Sequence, residues 1–145
     1  MFRNYNAGTG LFMLRVIVGI VFLNHGLGKL IGPPFAGPGI DGTIGFFGSI
    51  GIPSPVIAAW GVGILETLGG LSLILGAGVG VFGLLLAADM AVAAVKVHIA
   101  AGFDVYHFGN ATARGYEYVL VLCAACVALA LGGPGIMAVQ LRPKN

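Results

Sequence analysis

Charged side chains are scarce in this 145-residue chain, and their scarcity excludes most classes of soluble protein. Only 8% of the residues are charged and 58% are hydrophobic, whereas soluble domains average about 25% charged and about 45–50% apolar residues. The mean hydropathy is +1.01. The seven Lys and Arg residues form no basic stripe, which argues against nucleic acid as a partner. The composition predicts an integral membrane protein whose first partner is the lipid bilayer.

Cysteine is also rare, and its pattern predicts no metal site. Cys123 and Cys126 form a C-x-x-C inside an apolar stretch, and no second ligand pair occurs in the sequence. Their neighbours are Leu, Ala and Val, which favours small core residues over a redox pair. Signatures of flavin, haem and iron–sulfur binding are absent from the sequence, and no covalently bound cofactor is expected. Electrons for any redox reaction would therefore come from another chain.

Four apolar stretches fill most of the chain and predict an all-α fold, an integral membrane antiparallel four-helix bundle. A membrane-spanning helix needs about 20 apolar residues. We expect a single domain over 1–145, with spans at about 10–31, 55–75, 79–100 and 116–135. The short connection from Gly76 to Gly78 allows only an antiparallel return. Between the first two spans, apolar residues that include Phe46 and Phe47 predict a short interfacial or re-entrant helix.

The Lys and Arg residues that flank the spans are evenly divided between the two sides of the membrane. Those on the side of the termini are Arg3, Arg142 and Lys144, and those on the other side are Lys29, Lys96 and Arg114. The second set lies at helix ends or near acidic residues, whereas the tails are free. The termini are therefore expected to be cytoplasmic.

Three ionisable residues lie inside the apolar stretches, where charge is costly and is by default a sign of function: Arg15, Glu66 and Asp89. At about 1.5 Å of rise per residue, Glu66 and Asp89 lie about 14 and about 15 Å from the ends of their helices, near the midplane. Arg15 lies about 8 Å from its helix end and is expected to pair with Glu66. One carboxyl then lacks a cationic partner and is expected to carry a proton.

A second layer of polar residues is predicted nearer the other side of the membrane. His25 and Lys29 share a helical face because they are four residues apart, and Asp89 and Lys96 share a face at a spacing of seven. His98 and Glu117 lie at the same level, with Asp104, His107 and Arg114 above it. These polar groups are expected to converge on an outward-opening pocket. Alternatively, they satisfy one another as internal ion pairs that fix the helix register.

The predicted site residues follow from this arrangement. The ligand-binding candidates are Arg15, His25, Lys29, Glu66, Lys96 and Glu117. The candidates for a proton relay are Glu66, Glu117 and Asp89. No catalytic residue is assigned.

The order of several short motifs resembles that of the DoxX family of small bacterial membrane proteins. These motifs are Leu14-Arg15-Val16, His25-Gly26-Leu27-Gly28-Lys29, Leu65-Glu66-Thr67-Leu68-Gly69-Gly70, Leu75-Gly76, Gly115-Tyr116-Glu117 and Gly133-Pro134-Gly135. The resemblance covers the chain from about Gly10 to Gly135. The chain departs from the family pattern after Gly135, where Ile136 to Val139 replace the usual small, polar and acidic ending.

The resemblance implies a four-helix subunit linked to redox reactions at the bacterial cytoplasmic membrane. Relatives include the membrane part of thiosulfate:quinone oxidoreductase and partners of oxidant-defence or quinone-detoxifying enzymes. Five residues fall on family positions: Arg15, His25, Lys29, Glu66 and Glu117. Asp89 and Lys96 are candidates only because of their depth and spacing.

Three functions are compatible with these observations. The first is a membrane subunit of a quinone-linked oxidoreductase, with a quinone as its ligand and soluble oxidoreductase subunits as partners. The second is a non-catalytic scaffold that anchors soluble partners. The third is a carrier of small solutes or ions, although the sequence shows no inverted repeat. A homo-oligomer is compatible with each of them.

Overall fold

Helices account for all of the regular structure in the computed structural model, which describes residues 5–103 and 115–139, with side chains from Ala7 onwards. The five helices are α1 (Tyr5–Leu30), α2 (Gly39–Ser49), α3 (Pro55–Leu75), α4 (Val79–Ala93) and α5 (Glu117–Gly132). α4 continues through a π-turn at Ala94–His98 and a 3-10 turn at Ile99–Ala101. The predicted all-helical fold is confirmed for the described ranges.

Three of the helical segments are long and apolar enough to cross a membrane. They are Ala7–Leu30, Pro55–Leu75 and Val79–Ala101, with 24, 21 and 23 residues. These lengths correspond to about 32–36 Å, against about 30 Å for the hydrocarbon core of a bilayer. α5 is equally apolar but shorter, with 16 residues. The helices expose large apolar side chains such as Ile17, Ile57, Val81 and Val121, as expected of a protein that sits in a lipid bilayer.

Glycines set the register between α1 and α3, which run antiparallel. A Cβ atom added at Gly70 would lie 2.5 Å from the backbone nitrogen of Leu23, and one at Gly19 would lie 2.7 Å from the carbonyl oxygen of Gly70. Further along, a Cβ at Gly26 would lie 2.5 Å from the nitrogen of Thr67. The two backbones are therefore in contact, as expected where small residues pack membrane helices together.

The other helices pack around this pair. α4 packs against α3 and α5, and a Cβ at Gly83 would lie 2.9 Å from the carbonyl oxygen of Cys126. The buried core is formed by Val18, Phe22, Leu73, Val79, Leu86, Ala87, Met90, Val119, Leu122, Cys126 and Leu129. This core separates the two ends of the molecule, and each end holds buried charge.

The turns form where the sequence predicts them. α3 begins at Pro55 in its first turn and ends at Leu75, and Gly76 and Gly78 take left-handed backbone conformations with φ of +77° and +68°. The apolar segment after the first span forms α2, as predicted. The single hydroxyl proton of the buried Thr43 is shared between the carbonyl oxygens of Gly39 at 2.8 Å and Lys29 at 3.2 Å, which attaches α2 to the end of α1.

Candidate functional site

An ion pair joins the last turn of α1 to the middle of α3. Nζ of Lys29 lies 2.5 Å from Oε2 of Glu66, and the two side chains are 22% and 3% exposed. The pair forms because α1 and α3 touch at Gly26, where an added Cβ would lie 2.9 Å from the carbonyl carbon of Glu66. Lys29 is one helical turn further along the same face. The close backbone contact therefore places the acid beside its cation.

Asp89 on α4 completes a triad with Lys29 and Glu66. The Asp89 carboxyl lies close enough to the Glu66 carboxyl and the Lys29 ammonium to interact electrostatically with both. One oxygen of Asp89, Oδ2, is buried and has no hydrogen-bond partner among the described residues. A buried oxygen without a partner is costly in free energy, and it needs an explanation such as a bound group.

The triad opens on a cavity of about 720 Å³ between the helices. This volume lies within the range of about 300–1,000 Å³ that is typical of sites for small molecules. Six Asp, Glu, Lys and His side chains line the cavity: His25, Lys29, Glu66, Asp89, Lys96 and His98. The rest of the lining is largely apolar and aromatic. The cavity thus combines a few polar groups with apolar walls, as binding sites for amphipathic molecules do.

Two features at the margin shape this cavity. Residues of α2 and the turn after it, Phe46, Phe47, Ile50 and Ile52, form one wall. The π-turn at Ala94–His98 forms another and brings Lys96 and His98 to the same cavity, although residues two apart on a regular α-helix do not face each other. Lys96 is exposed at this edge, whereas His98 is half-buried.

The structure brings together five of the residues predicted from the sequence and separates two others. His25, Lys29, Glu66, Asp89 and Lys96 line the one cavity. Glu117 opens α5 beside it but is not part of the lining. Arg15 lies fourteen residues before Lys29 on α1, about 21 Å away along the helix axis. Asp104, His107 and Arg114, placed near this layer from the sequence, lie outside the described residues.

Arg15 binds backbone carbonyl groups at the other end of the molecule. Its side chain is 0% exposed, and its guanidinium lies 5.0 Å from the ring centroid of Phe12. Each of its five N–H donors is used. The acceptors are the carbonyl oxygens of Leu73 at 2.8 Å, Ile74 at 2.5 Å, Pro134 at 2.8 Å, Ile136 at 3.2 Å and Met137 at 2.5 Å. Arg15 thereby joins the C-terminal end of α3 to the segment that follows α5.

The expected ion pair between Arg15 and Glu66 is therefore wrong. α1 and α3 are antiparallel, so residues earlier in α1 face residues later in α3. Gly19 lies against Gly70, and Arg15, one turn before Gly19, therefore faces the C-terminal end of α3. Glu66 consequently faces the other end of α1 and pairs with Lys29. The carbonyl groups at the end of α3 carry partial negative charge and serve as acceptors for the guanidinium.

Two other features of the site were not predicted from the sequence. The aromatic wall from α2 was signalled only by apolar residues between the first two spans, which are too frequent for a solvated linker. His98 was placed in the polar layer but not among the ligand-binding candidates. The π-turn at Ala94–His98 brings it to the cavity beside Lys96.

The two cysteines pack within the helices. Cys126 is fully buried in the core, and Sγ of Cys123 lies 3.3 Å from the carbonyl oxygen of Ala87 on α4. Both are free thiols. Their positions agree with the interpretation of small core residues. Within residues 5–103 and 115–139, no group of three or more His, Cys, Asp or Glu side chains is arranged to hold a metal ion.

Apolar helices of membrane-spanning length around a cavity with ionisable groups define the class of this chain, an all-helical integral membrane protein. The chain belongs to the DoxX family, whose profile matches residues 10–99, so the family resemblance is confirmed. A protein of Bacillus subtilis (strain 168) named "Putative oxidoreductase CatD" is 35% identical over 140 residues, which cover 97% of this chain and 90% of the relative. No solved structure matches the chain.

Proposed function

We propose that this chain is the membrane subunit of a quinone-linked redox system and that its cavity receives the quinone headgroup. The observation that carries the proposal is the cavity itself, in which six Asp, Glu, Lys and His side chains meet apolar and aromatic walls. A quinone matches this lining, because its ring and tail are apolar and its two carbonyl oxygens accept hydrogen bonds. The name of the Bacillus subtilis relative, an oxidoreductase, supports a redox role.

The cavity residues would share the work of binding and proton supply. Lys96 and the two histidines would hydrogen-bond the headgroup from the margin, and Lys29 would hold Glu66 in position. Reduction of a quinone consumes two electrons and two protons, and Glu66, Asp89 and Glu117 are the proposed proton relay. The electrons would come from a soluble oxidoreductase partner. We leave Arg15 out of the ligand site, because all five of its donors are bound to carbonyl groups.

The proposal includes the arrangement in the membrane. We infer that α5 crosses the bilayer beside the three longer helices and completes an antiparallel four-helix bundle. Its 16 residues span about 24 Å, and the segment after it continues toward Arg15. The membrane would be the cytoplasmic membrane of a bacterium, with both termini on the cytoplasmic side.

Ligand retention tests the function directly. The full chain, purified from membranes in detergent, is extracted with organic solvent and analysed for isoprenoid quinones by mass spectrometry. We expect quinone in amounts close to one per chain. Ala93→Phe fills the cavity without changing a charge and is expected to lose the quinone, whereas Leu84→Phe on the exposed face of the same helix keeps it. Equal retention by these two variants would contradict the proposal.

A scaffold is the second candidate, favoured by the direct ion pair between Lys29 and Glu66. If the pair serves only to fix the helices, Glu66→Gln lowers the thermal stability but leaves the capture of soluble partners intact. Under the quinone proposal, Glu66→Gln reduces quinone retention in protein that remains folded. Measuring stability and retention on the same preparation separates the two functions.

A further inference from the structure

The segment after α5, residues 133–139, is not helical, yet it lies beside two helices of membrane-spanning length. A Cβ atom added at Gly135 would lie 2.9 Å from the backbone nitrogen of Phe12 on α1. The N–H of Val139 donates a hydrogen bond to the carbonyl oxygen of Leu75 on α3 at 3.1 Å. Both of these neighbours belong to helical segments long enough to cross a membrane. The segment therefore runs alongside α1 and α3 and not beyond their ends.

Groups of the protein pair with the backbone of this segment. The buried guanidinium of Arg15 donates to three of its carbonyl groups. The acceptors are the carbonyl oxygens of Pro134 at 2.8 Å, Ile136 at 3.2 Å and Met137 at 2.5 Å. The N–H of Ile136 donates to the carbonyl oxygen of Gly8 on α1 at 3.2 Å. Irregular backbone is tolerated at membrane depth only where the protein satisfies its polar groups, and Arg15 meets that condition here.

The side chains of the same segment are apolar and exposed. Ile136, Met137 and Val139 are 45%, 76% and 54% exposed. Leu75, whose carbonyl group binds the N–H of Val139, is itself 48% exposed on the apolar outer face of α3. The apolar surface of α3 thus continues onto the segment. Backbone groups that bind a buried cation and large apolar side chains that face outwards suit contact with lipid, because water would favour the reverse.

The length of α5 leaves room for this segment in the bilayer. Its 16 residues span about 24 Å, less than the hydrocarbon core of about 30 Å, and the segment extends it to the level of Leu75 at the end of α3. We propose that residues 133–139 complete the fourth crossing as a non-helical segment within the hydrocarbon, with Arg15 binding its carbonyl groups and lipid acyl chains covering its apolar side chains. This inference rests on the proposed crossing of α5 and is independent of the cavity and its ligand.

Tryptophan fluorescence in vesicles tests the depth of the segment. Trp60 on α3 is the single tryptophan of the chain and is 47% exposed. The reporter is Met137→Trp, introduced together with Trp60→Phe into the full chain. The vesicles are phosphatidylcholine brominated on its acyl chains near the headgroups, and iodide is the quencher in water. We expect the reporter to lose as large a fraction of its emission to brominated lipid as Trp60 does in the unsubstituted chain, and little to iodide.

The opposite pattern, strong quenching by iodide and weak quenching by brominated lipid, would overturn the inference, because the segment would then lie in water, where a soluble partner could cover it. If Trp60 itself is not quenched by brominated lipid, the proposed membrane crossing fails together with the inference. If Trp60 is quenched and the reporter is not, only the inference fails. Val139→Trp, also at an exposed position, provides a second reporter for which the same results are expected.

Arg15→Lys tests whether the guanidinium keeps the segment within the membrane. Lysine retains the charge but has three donors in place of five, so part of the segment's backbone loses its partner. We expect quenching of the reporter at position 137 by lipid to fall and its quenching by iodide to rise, while Trp60 is quenched as before in an Arg15→Lys chain that retains it. Unchanged quenching of the reporter, or an equal change at Trp60, would overturn the role assigned to Arg15.

Discussion

The two ends of this molecule bury charge in opposite ways. At one end, the five N–H donors of Arg15 bond to five carbonyl oxygens, so the guanidinium has no donor left for a ligand. At the other end, Lys29, Glu66 and Asp89 satisfy one another only in part, and an oxygen of Asp89 remains without a hydrogen-bond partner among the described residues, beside a cavity of about 720 Å³. The first arrangement has no capacity for a ligand, and the second does.

This difference shows that burial of a charge does not by itself identify a functional site. Arg15 and Glu66 are both buried, at 0% and 2% exposed, and both fall on positions that resemble the family pattern. What separates them is whether donors and acceptors are balanced within the protein. A balanced group stabilises the fold, whereas an unbalanced group beside a cavity can bind a ligand.

Removal of Arg15 is expected to have the largest effect on stability. Arg15→Ala leaves five carbonyl oxygens without their donor and detaches the segment after α5 from the end of α3, so the free energy of unfolding should fall by about 4 kcal/mol. Unfolding in mixed micelles with increasing SDS measures it. Arg15→Lys keeps the charge but offers three donors in place of five, and should lose about half as much.

The exposed Lys96 provides the control for Arg15. Lys96→Met should change the free energy of unfolding by less than about 0.5 kcal/mol. If Arg15→Ala lowered the free energy of unfolding no more than Lys96→Met, the hydrogen bonds of Arg15 to the carbonyl groups would not be a source of stability.

The ion pair between Lys29 and Glu66 is expected to contribute somewhat less than Arg15 to the free energy of unfolding. Lys29→Met leaves the Glu66 carboxylate, only 3% exposed, without its cation and should cost about 3 kcal/mol. The double variant Lys29→Met with Glu66→Gln removes both charges and should be more stable than Lys29→Met alone. A double-mutant cycle on the same unfolding assay gives the coupling energy, expected at about 1–2 kcal/mol. Additive effects would show that the two side chains do not interact.

The register of α1 and α3 keeps the two charged ends apart, and its disruption should have the next largest effect. A Cβ at Gly70 meets the backbone of Leu23 and Gly19, which cannot move aside as a side chain can, so Gly70→Ala should cost about 2 kcal/mol. Gly61 lies on the same helix with no atom within 4 Å of an added Cβ. Gly61→Ala is therefore the matched control and should be neutral. Equal effects of the two substitutions in SDS unfolding would contradict this account of the register.

The positions of the helices and turns could be predicted from the sequence, whereas the pairing of the charged side chains could not. Turn chemistry placed the end of α3 at Leu75 and the start of α4 at Val79, because glycines that adopt left-handed conformations interrupt the apolar sequence there. The lengths of the apolar stretches identified the helices. The register between helices depends on contacts such as Gly19 with Gly70, which join residues far apart in sequence. For this reason the partner of Arg15 was predicted incorrectly.

The candidate site was predictable where it depends on spacing within one helix. His25 and Lys29, and Asp89 and Lys96, lie on the same cavity as their spacings of four and seven indicate. The triad and its unpartnered oxygen depend on how α1, α3 and α4 meet. The wall from α2 also depends on tertiary packing, since nothing in the local sequence directs Phe46 and Phe47 toward the polar groups.

Loss of the hydrogen bond that attaches α2 to α1 is expected to have the smallest effect on stability. It concerns the cavity as well, because α2 forms one of its walls. Thr43→Val keeps the shape of the side chain but removes the hydroxyl that donates to Gly39 and Lys29, so the free energy of unfolding should fall by about 1 kcal/mol. Ser49→Ala removes an exposed hydroxyl from the same helix and should be neutral. Because the Thr43 hydroxyl bonds to the backbone of Lys29, whose ammonium pairs with Glu66, Thr43→Val should also lower quinone retention a few fold. Unchanged retention would show that α2 keeps its position at the cavity without this hydrogen bond.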